Sequence, residues 1–273
     1  MLRFLYETVP GRALLRVLTA PWLSRAIGAF LDTRASRIFI PLFLRKGHID
    51  LSEYLPERYA SFNACFTRRI RPECRPIDME DAHLIAPCDG RLSAYRIDGS
   101  AIPIKHSRYS LDQLLGNDPR SDEFQDGVCL VFRLCVDDYH RYRYFDSGRK
   151  GENHFISGAL HTVRPIALEQ TDVFVQNARE YTFMQTDHFG LCAQIEVGAM
   201  LVGRIRNLHG AHAFARGDEK GYFEYGGSTI VLLLQKGAVS ISEEIFVDTQ
   251  NNIERRVLCG SAIAVSAQNR AVS

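Results

Sequence analysis

Glu224-Tyr225-Gly226-Gly227-Ser228-Thr229-Ile230-Val231-Leu232-Leu233-Leu234 sets two glycines and a serine directly before an unbroken apolar run. The run from Thr229 to Leu234, bounded by glycine, predicts a buried strand. Glycine before it permits backbone conformations that a Cβ forbids. The serine then places a small nucleophile at the strand's mouth. Outward from this stretch the same texture returns. Leu84–Ala86, Arg91–Ile97, Val128–Leu134 and Gln194–Val197 are rich in Val, Ile and Leu and bounded by Gly, Pro or Asp, so they too read as strands. Helical patches in this part are few, at Leu111–Leu115 and Ser61–Arg69. The expected fold class is α+β: a helical N-terminal segment, residues 1–46, then a single β-rich, barrel- or sandwich-like domain, residues 47–273. The boundary falls near Gly47, with no internal repeat and no low-complexity linker.

At 273 residues, with 46% hydrophobic and 24% charged residues, the chain is long and apolar enough to bury a real core. A net charge of +1 gives no global field for nucleic acid. Seven cysteines, at 65, 74, 88, 129, 135, 192 and 259, form no CxxC pair, and their number is odd. This favours reduced thiols in a cytosolic setting over a disulfide framework or a zinc site.

The charge is uneven. Residues 1–46 hold eight Lys/Arg against two Asp/Glu, a net +6 that leaves −5 for the remainder. Leu14, Leu15, Leu18 and Trp22 follow a helical spacing, with Arg12, Arg16, Arg25 and Arg34 interleaved. Pro10, Gly11, Pro21 and Pro41 break the segment into short pieces. No run approaches the roughly 18 apolar residues of a spanning helix, and the ordered regions of a signal peptide are lacking. A basic, Trp-bearing, broken amphipathic segment suits a membrane surface; its plainer reading is a helical cap packed on the domain.

Residues able to do chemistry cluster in three places. Gly-Gly-Ser-Thr is, on its own, a turn into a strand. Pro87-Cys88-Asp89-Gly90 puts a carboxylate in a tight turn, although Asp-Gly is a common turn signal. Asp137-Asp138-Tyr139-His140-Arg141-Tyr142-Arg143-Tyr144 ends an apolar strand with His, Arg and Tyr packed together, or is a solvated, charged strand end. His48, His83, His154 and His188 sit in polar stretches and read as solvated. His209 and His212 have a loose metal-like spacing, but no third ligand is fixed to them, so no metal site is expected.

These fragments, in this order, resemble the motifs of the phosphatidylserine decarboxylase proenzymes, a pyruvoyl-dependent family. Phe62-Asn63-Ala64-Cys65-Phe66-Thr67-Arg68 resembles its FNxFFxR motif, followed by Arg71-Pro72 and Arg75-Pro76. Pro87-Cys88-Asp89-Gly90 resembles P-x-D-G, and Asp138-Tyr139-His140-Arg141 resembles DYHR. Asn177-Ala178-Arg179 resembles N-x-R, and Val197 to Gly203 resembles VGAxxVG. Lys220-Gly221-Tyr222-Phe223 leads into Gly226-Gly227-Ser228-Thr229, like the family's GST cleavage site. The broken basic N-terminus is similar to a bacterial subgroup that lacks a spanning segment.

The resemblance implies a chain that cuts itself between Gly227 and Ser228, giving a β chain, 1–227, and an α chain, 228–273. The Ser228 hydroxyl attacks the preceding carbonyl, and elimination and hydrolysis turn Ser228 into a covalent pyruvoyl group, the only cofactor. That group forms a Schiff base with the amine of phosphatidylserine, and loss of carbon dioxide yields phosphatidylethanolamine. The implied setting is peripheral, on the cytoplasmic face of the cell membrane, with a homodimer as the assembly and no nucleic acid partner. Asp89 is implied as the carboxylate that orients a histidine, in the Ser-His-Asp manner. His140 matches the histidine assigned to decarboxylation. Many members carry a second histidine three residues later as the self-cleavage base. Arg143 stands there in this chain, and arginine is not a base near neutral pH. The base is then expected to be His140, or His161 in Gly158-Ala159-Leu160-His161-Thr162-Val163, a stretch similar to the family's GxLxxV, or neither of them; a packed strand histidine is the plainer reading of His161. His106 lies in a segment resembling a KGxxYSL loop that approaches the headgroup. Two other functions fit less of the pattern: a pyruvoyl decarboxylase of a soluble amino acid, and a non-enzymatic barrel-sandwich binding module in which Gly-Gly-Ser-Thr is only a turn.

Overall fold

The computed structural model describes residues 4–5, 8–104, 107–163, 172–199, 204–226 and 228–267. Gly227, His106 and residues 200–203 of the VGAxxVG stretch lie outside the described residues.

The Ser228–Leu234 strand is the centre of the molecule. It pairs antiparallel with Val128–Leu134 on one side and Gly190–Val197 on the other. These three belong to a nine-stranded sheet. In order it runs His212–Phe214, Gly148–Lys150, Arg179–Thr186, Gly190–Val197, Ser228–Leu234, Val128–Leu134, Gly90–Arg96, Arg255–Val257, with His154–Ile156 also paired to Arg179–Thr186. Every residue from Ser228 to Leu234 is buried. The unbroken apolar run has a direct cause, because both faces of the strand are covered. Val231 and Leu233 point into one core with Val131, Ile195, Leu111 and Phe174. Ile230, Leu232 and Leu234 point into a second core with Leu130, Phe132, Leu84, Tyr142 and Phe223. Side chains alternate along a strand, so two covers demand apolar residues at every position.

The second core is closed by two three-stranded sheets. One is His83–Ile85, Ala262–Ser266, Val239–Ser240; the other is Arg141–Arg143, Glu219–Phe223, Ile205–Asn207. The architecture is α+β and sandwich-like, as the strand pattern predicts. Among the described residues no sheet closes into a barrel. Gly90, in the Asp-Gly turn, is required by a close approach: a Cβ there would stand 2.9 Å from the Arg133 carbonyl oxygen.

The N-terminal segment is broken into helices where its prolines fall. Val9–Leu18 is capped by Thr8, whose side chain accepts from Gly11 N at 3.1 Å. Pro21–Leu31 opens on proline in the first turn, where the missing N–H costs nothing. A 3₁₀ turn, Arg34–Phe39, leads into Ile40–Lys46. These pieces pack on the body. Leu15 enters the first core, and Leu31 joins Phe62 and Phe66 in a small cluster of its own. All seven cysteines are free thiols.

Candidate active site

Ser228 opens its strand opposite Leu134. The chain beyond Leu134 turns back at Cys135–Asp138, and this turn sets the site. Asp138 Oδ2 accepts from Cys135 N at 2.7 Å, and Asp138 N donates to Cys135 O at 3.0 Å. The turn is thereby stapled at both ends, and His140 emerges from it toward Ser228. His140 Nε2 lies 2.9 Å from the Cys135 carbonyl oxygen, and Nδ1 lies 3.3 Å from Ser228 Oγ. A carbonyl oxygen only accepts, so Nε2 carries the proton and Nδ1 presents its lone pair to the hydroxyl. Both residues are fully buried. Burial, with the nearby Arg68 guanidinium second, pushes the His140 pKa down to about 3, so the ring is neutral.

The segment before the serine is held from the other side. Tyr225 N donates to Asn63 Oδ1 at 3.2 Å, and Asn63 Nδ2 donates to Asp32 at 2.7 Å. The Tyr225 ring meets Phe62 and Phe66 edge-on, at 4.9 and 5.3 Å between centroids. Phe66 also lies over the His140 ring at 4.2 Å. The Phe62–Phe66 helix is therefore a clamp reaching both sides of Ser228. Gly226 has φ +133°, a conformation L side chains rarely adopt. Arg68 is buried in the same layer, donating to Tyr54 Oη at 3.0 Å and to the Asp137 carbonyl at 3.3 Å.

The other expected site residues lie elsewhere. Asp89 is bound by Arg75, with Nε at 2.8 Å and Nη2 at 2.6 Å, and by Cys259 N at 2.8 Å. Among the described residues it makes no hydrogen bond to His140, whose orienting acceptor is the Cys135 carbonyl. Arg143 lies beside the Asp89 turn: its N donates to Pro87 O and its Nη1 to Gly217 O, each at 2.8 Å. His161 is half-buried and held by its backbone. Asn177 Oδ1 accepts from His161 N at 2.9 Å, and Asn177 Nδ2 donates to His161 O and to Gly198 O. Gly198 follows Val197, the partner of Thr229, so His161 stands at the Ser228 end of the sheet. Burial lowers its pKa. The rings of His209 and His212 lie 4.3 Å apart. Among the described residues no group of three or more His, Cys, Asp or Glu is placed to hold a metal ion.

Sequence reasoning did not foresee the roles of Cys135, Asp138, Asn63 and Arg75. Asp138 lies four residues after the end of the Val128–Leu134 strand and its carboxylate reaches back to Cys135 N, a contact that no forward turn signal announces. The Cys135 contact is made by the main chain, and no residue identity betrays it.

Residues 62–265 match the phosphatidylserine decarboxylase family profile. The chain is 42% identical over 264 residues to phosphatidylserine decarboxylase proenzyme 2 of Clostridium acetobutylicum, covering 96% of this chain and 90% of that protein. It is 39% identical over 270 residues to the proenzyme of Ruminiclostridium cellulolyticum, with the same coverage. With that of Desulfitobacterium hafniense the identity is 37% over 278 residues, covering 99% and 93%. A serine at the head of a buried central strand, a neutral histidine against it and relatives of this kind along nearly its whole length lead to one conclusion: the chain belongs to the phosphatidylserine decarboxylase family.

Proposed function

We propose that this chain is a self-processing decarboxylase that converts phosphatidylserine to phosphatidylethanolamine, using a pyruvoyl group made from Ser228. The observation that carries the reading is the buried contact between Ser228 Oγ and the unprotonated Nδ1 of His140. The site fits the group to be made there. The serine faces a base of fixed tautomer, and the backbone just before it is already in a glycine-only conformation at Gly226.

The chain's own groups do the following. His140 Nδ1 takes the hydroxyl proton as Oγ attacks the carbonyl carbon of residue 227. The peptide C–N bond breaks and an ester forms through Oγ. Loss of the Cα proton and cleavage of the Cβ–Oγ bond release the 227 carboxylate and leave dehydroalanine. Water then replaces the nitrogen, which departs as ammonia. The resulting pyruvoyl carbonyl supplies an electron sink for loss of carbon dioxide from an amino-acid headgroup. His140, fully buried beside that position, holds or delivers a proton there, and Phe66 and Tyr225 keep water out. Asp89 supports the site from the Arg75–Cys259 side, and His161 stands by as the second histidine at that end of the sheet.

A peripheral place on the cytoplasmic face of the cell membrane is supported by the N-terminal helices. Trp22 and Ile38 are 59% and 76% exposed, and Arg25, Arg34 and Arg37 lie exposed in the same segment. Among the described residues no helix is long and apolar enough to cross a membrane.

The test is the intact mass of the freshly purified protein. Two pieces of about 26 and about 5 kDa are expected, in proportion to residues 1–227 and 228–273 of a 30.9 kDa chain. The smaller piece begins with an α-keto group, and Ser228→Ala stays whole and inactive. An active protein that remains a single uncut chain refutes the reading.

A further inference from the structure

An apolar cleft of about 650 Å³ lies between the N-terminal helices and the catalytic centre. Ile27, Phe30, Leu31, Phe39, Leu42 and Phe43 make its outer wall. Its inner end is Tyr225, Phe62 and Val136. Tyr225 precedes Ser228 by three residues, and Val136 follows Cys135, whose carbonyl holds His140. The cleft thus ends on residues adjoining the reactive end of the sheet; Ser228 and His140 themselves are fully buried and do not line it. Its polar contributors are Lys46, His48 and Asp137, with Gly47 between the two basic residues.

Two features of this polar group are unexplained by packing. Lys46 is exposed and has no ion-pair partner among the described residues. His48 has φ +50°, a left-handed conformation usually given to glycine. The left-handed residue closes the Ile40–Lys46 helix: Ile49 N donates to Leu44 O at 3.1 Å and His48 N to Arg45 O at 3.4 Å. Glycine would serve that turn with less strain, yet an imidazole stands there, beside an unpaired ammonium, at a cleft that ends near Ser228. The closing bonds also satisfy the last carbonyls of the helix, which reduces their opposition to an anion arriving at this end.

We propose that Lys46 and His48 are specificity-determining contacts for the phosphodiester of a serine glycerophospholipid, whose acyl chains lie along the Phe30–Phe39–Leu42 wall. The proposal rests on the decarboxylase reading of the Ser228–His140 site. The match is one of charge and shape. A phosphodiester anion meets Lys46 and His48, the aliphatic part meets phenylalanine and leucine, and the serine headgroup is left pointing to the Ser228 end. A free amino acid fills none of the apolar wall.

The experiment uses full-length protein and mixed vesicles of phosphatidylserine in phosphatidylcholine. It compares the parent with Lys46→Gln, Lys46→Arg, His48→Asn and Arg45→Gln. Asparagine tolerates the left-handed conformation, so His48→Asn removes the imidazole and keeps the turn. Arg45→Gln removes the same charge from the same helix at a residue that does not line the cleft. Self-cleavage followed by mass, vesicle binding by sedimentation, and KM are read for each. Lys46→Gln is expected to self-cleave fully, bind vesicles as Arg45→Gln does, and show a KM raised about tenfold, the loss of one charge-assisted contact. His48→Asn raises KM by a smaller factor, and Lys46→Arg stays near the parent. An unchanged KM in Lys46→Gln, or a rise matched by Arg45→Gln and by weaker vesicle binding, overturns the proposal. A parent that fails to cut or to decarboxylate phosphatidylserine instead overturns the functional reading on which it rests.

Discussion

His140 is neutral because a fully buried ring with a guanidinium nearby gives a second positive charge no shelter. Its base form therefore persists far below the usual histidine range. Precursor self-cleavage is expected to hold its rate as pH falls from 8 to about 5, followed by gel after rapid mixing; a midpoint near 6.5 would point to an ordinary histidine instead. The same shift acts on folding. The folded pKa lies below the unfolded one, so the stability is fully present above about 6.5 and is lost as pH falls toward about 3, by on the order of 1 kcal/mol per unit. His140→Ala is expected to slow cutting by about 10²–10⁴, the usual worth of a general base, while His161→Ala still matures. The reverse result makes His161 the base. Ser228 and His140 stand out in the sequence only through the resemblance to the family's GST and DYHR motifs; read alone, one is a turn into a strand and the other a charged strand end. The hydrogen-bond acceptor on the far nitrogen of His140 was not legible at all, because every residue carries a carbonyl.

Among the elements, the Phe62–Phe66 helix does more than its five residues suggest. Asn63 is buried and joins Tyr225 N to Asp32, so it ties the cleavage segment to the second N-terminal helix. Asn63→Ala leaves the Tyr225 amide without its acceptor. It is expected to cost about 1–3 kcal/mol in a urea titration of the uncut Ser228→Ala chain, and to slow cutting in the parent. The closure of the Ile40–Lys46 helix gives a test of opposite sign. His48→Gly relieves the left-handed strain and, in the same uncut background, is expected to stabilise by up to about 1 kcal/mol, read as a higher urea midpoint. Val128–Leu134 was readable to the residue because its side chains are apolar nearly throughout. The Arg179–Thr186 strand was not, because it turns Arg179, Thr182 and Thr186 inward to buried polar partners, and the apolar alternation disappears.

At the scale of the molecule, the second core carries a buried ion pair. Lys220 Nζ lies 2.7 Å from Glu196 Oε1 and from Asn207 Oδ1, and both charged side chains are wholly enclosed. Lys220→Met strands a carboxylate and is expected to cost about 3–5 kcal/mol, whereas Lys220→Met with Glu196→Gln loses clearly less than the two single changes together. Equilibrium urea unfolding of the uncut Ser228→Ala chain measures both. None of this was visible in the sequence, where Lys220 and Glu196 are 24 residues apart and each reads as a surface charge. The N-terminal helices were legible from proline and charge, but their seat on Phe62 and Phe66 depends on tertiary packing alone.

The central position of Ser228–Leu234 has a further consequence for a chain that cuts itself there. The 46 residues from Ser228 onward contribute the middle strand of the large sheet, and also the Val239–Ser240, Arg255–Val257 and Ala262–Ser266 strands, each paired with the longer fragment or with one another. The short fragment is interleaved through the long one, so nicking releases nothing while the protein stays folded. Denaturation changes that permanently. The two fragments become separate molecules, renaturation becomes second-order in concentration, and no route leads back to the uncut precursor. An enzyme cut there would have a lifetime set by how slowly it first comes apart.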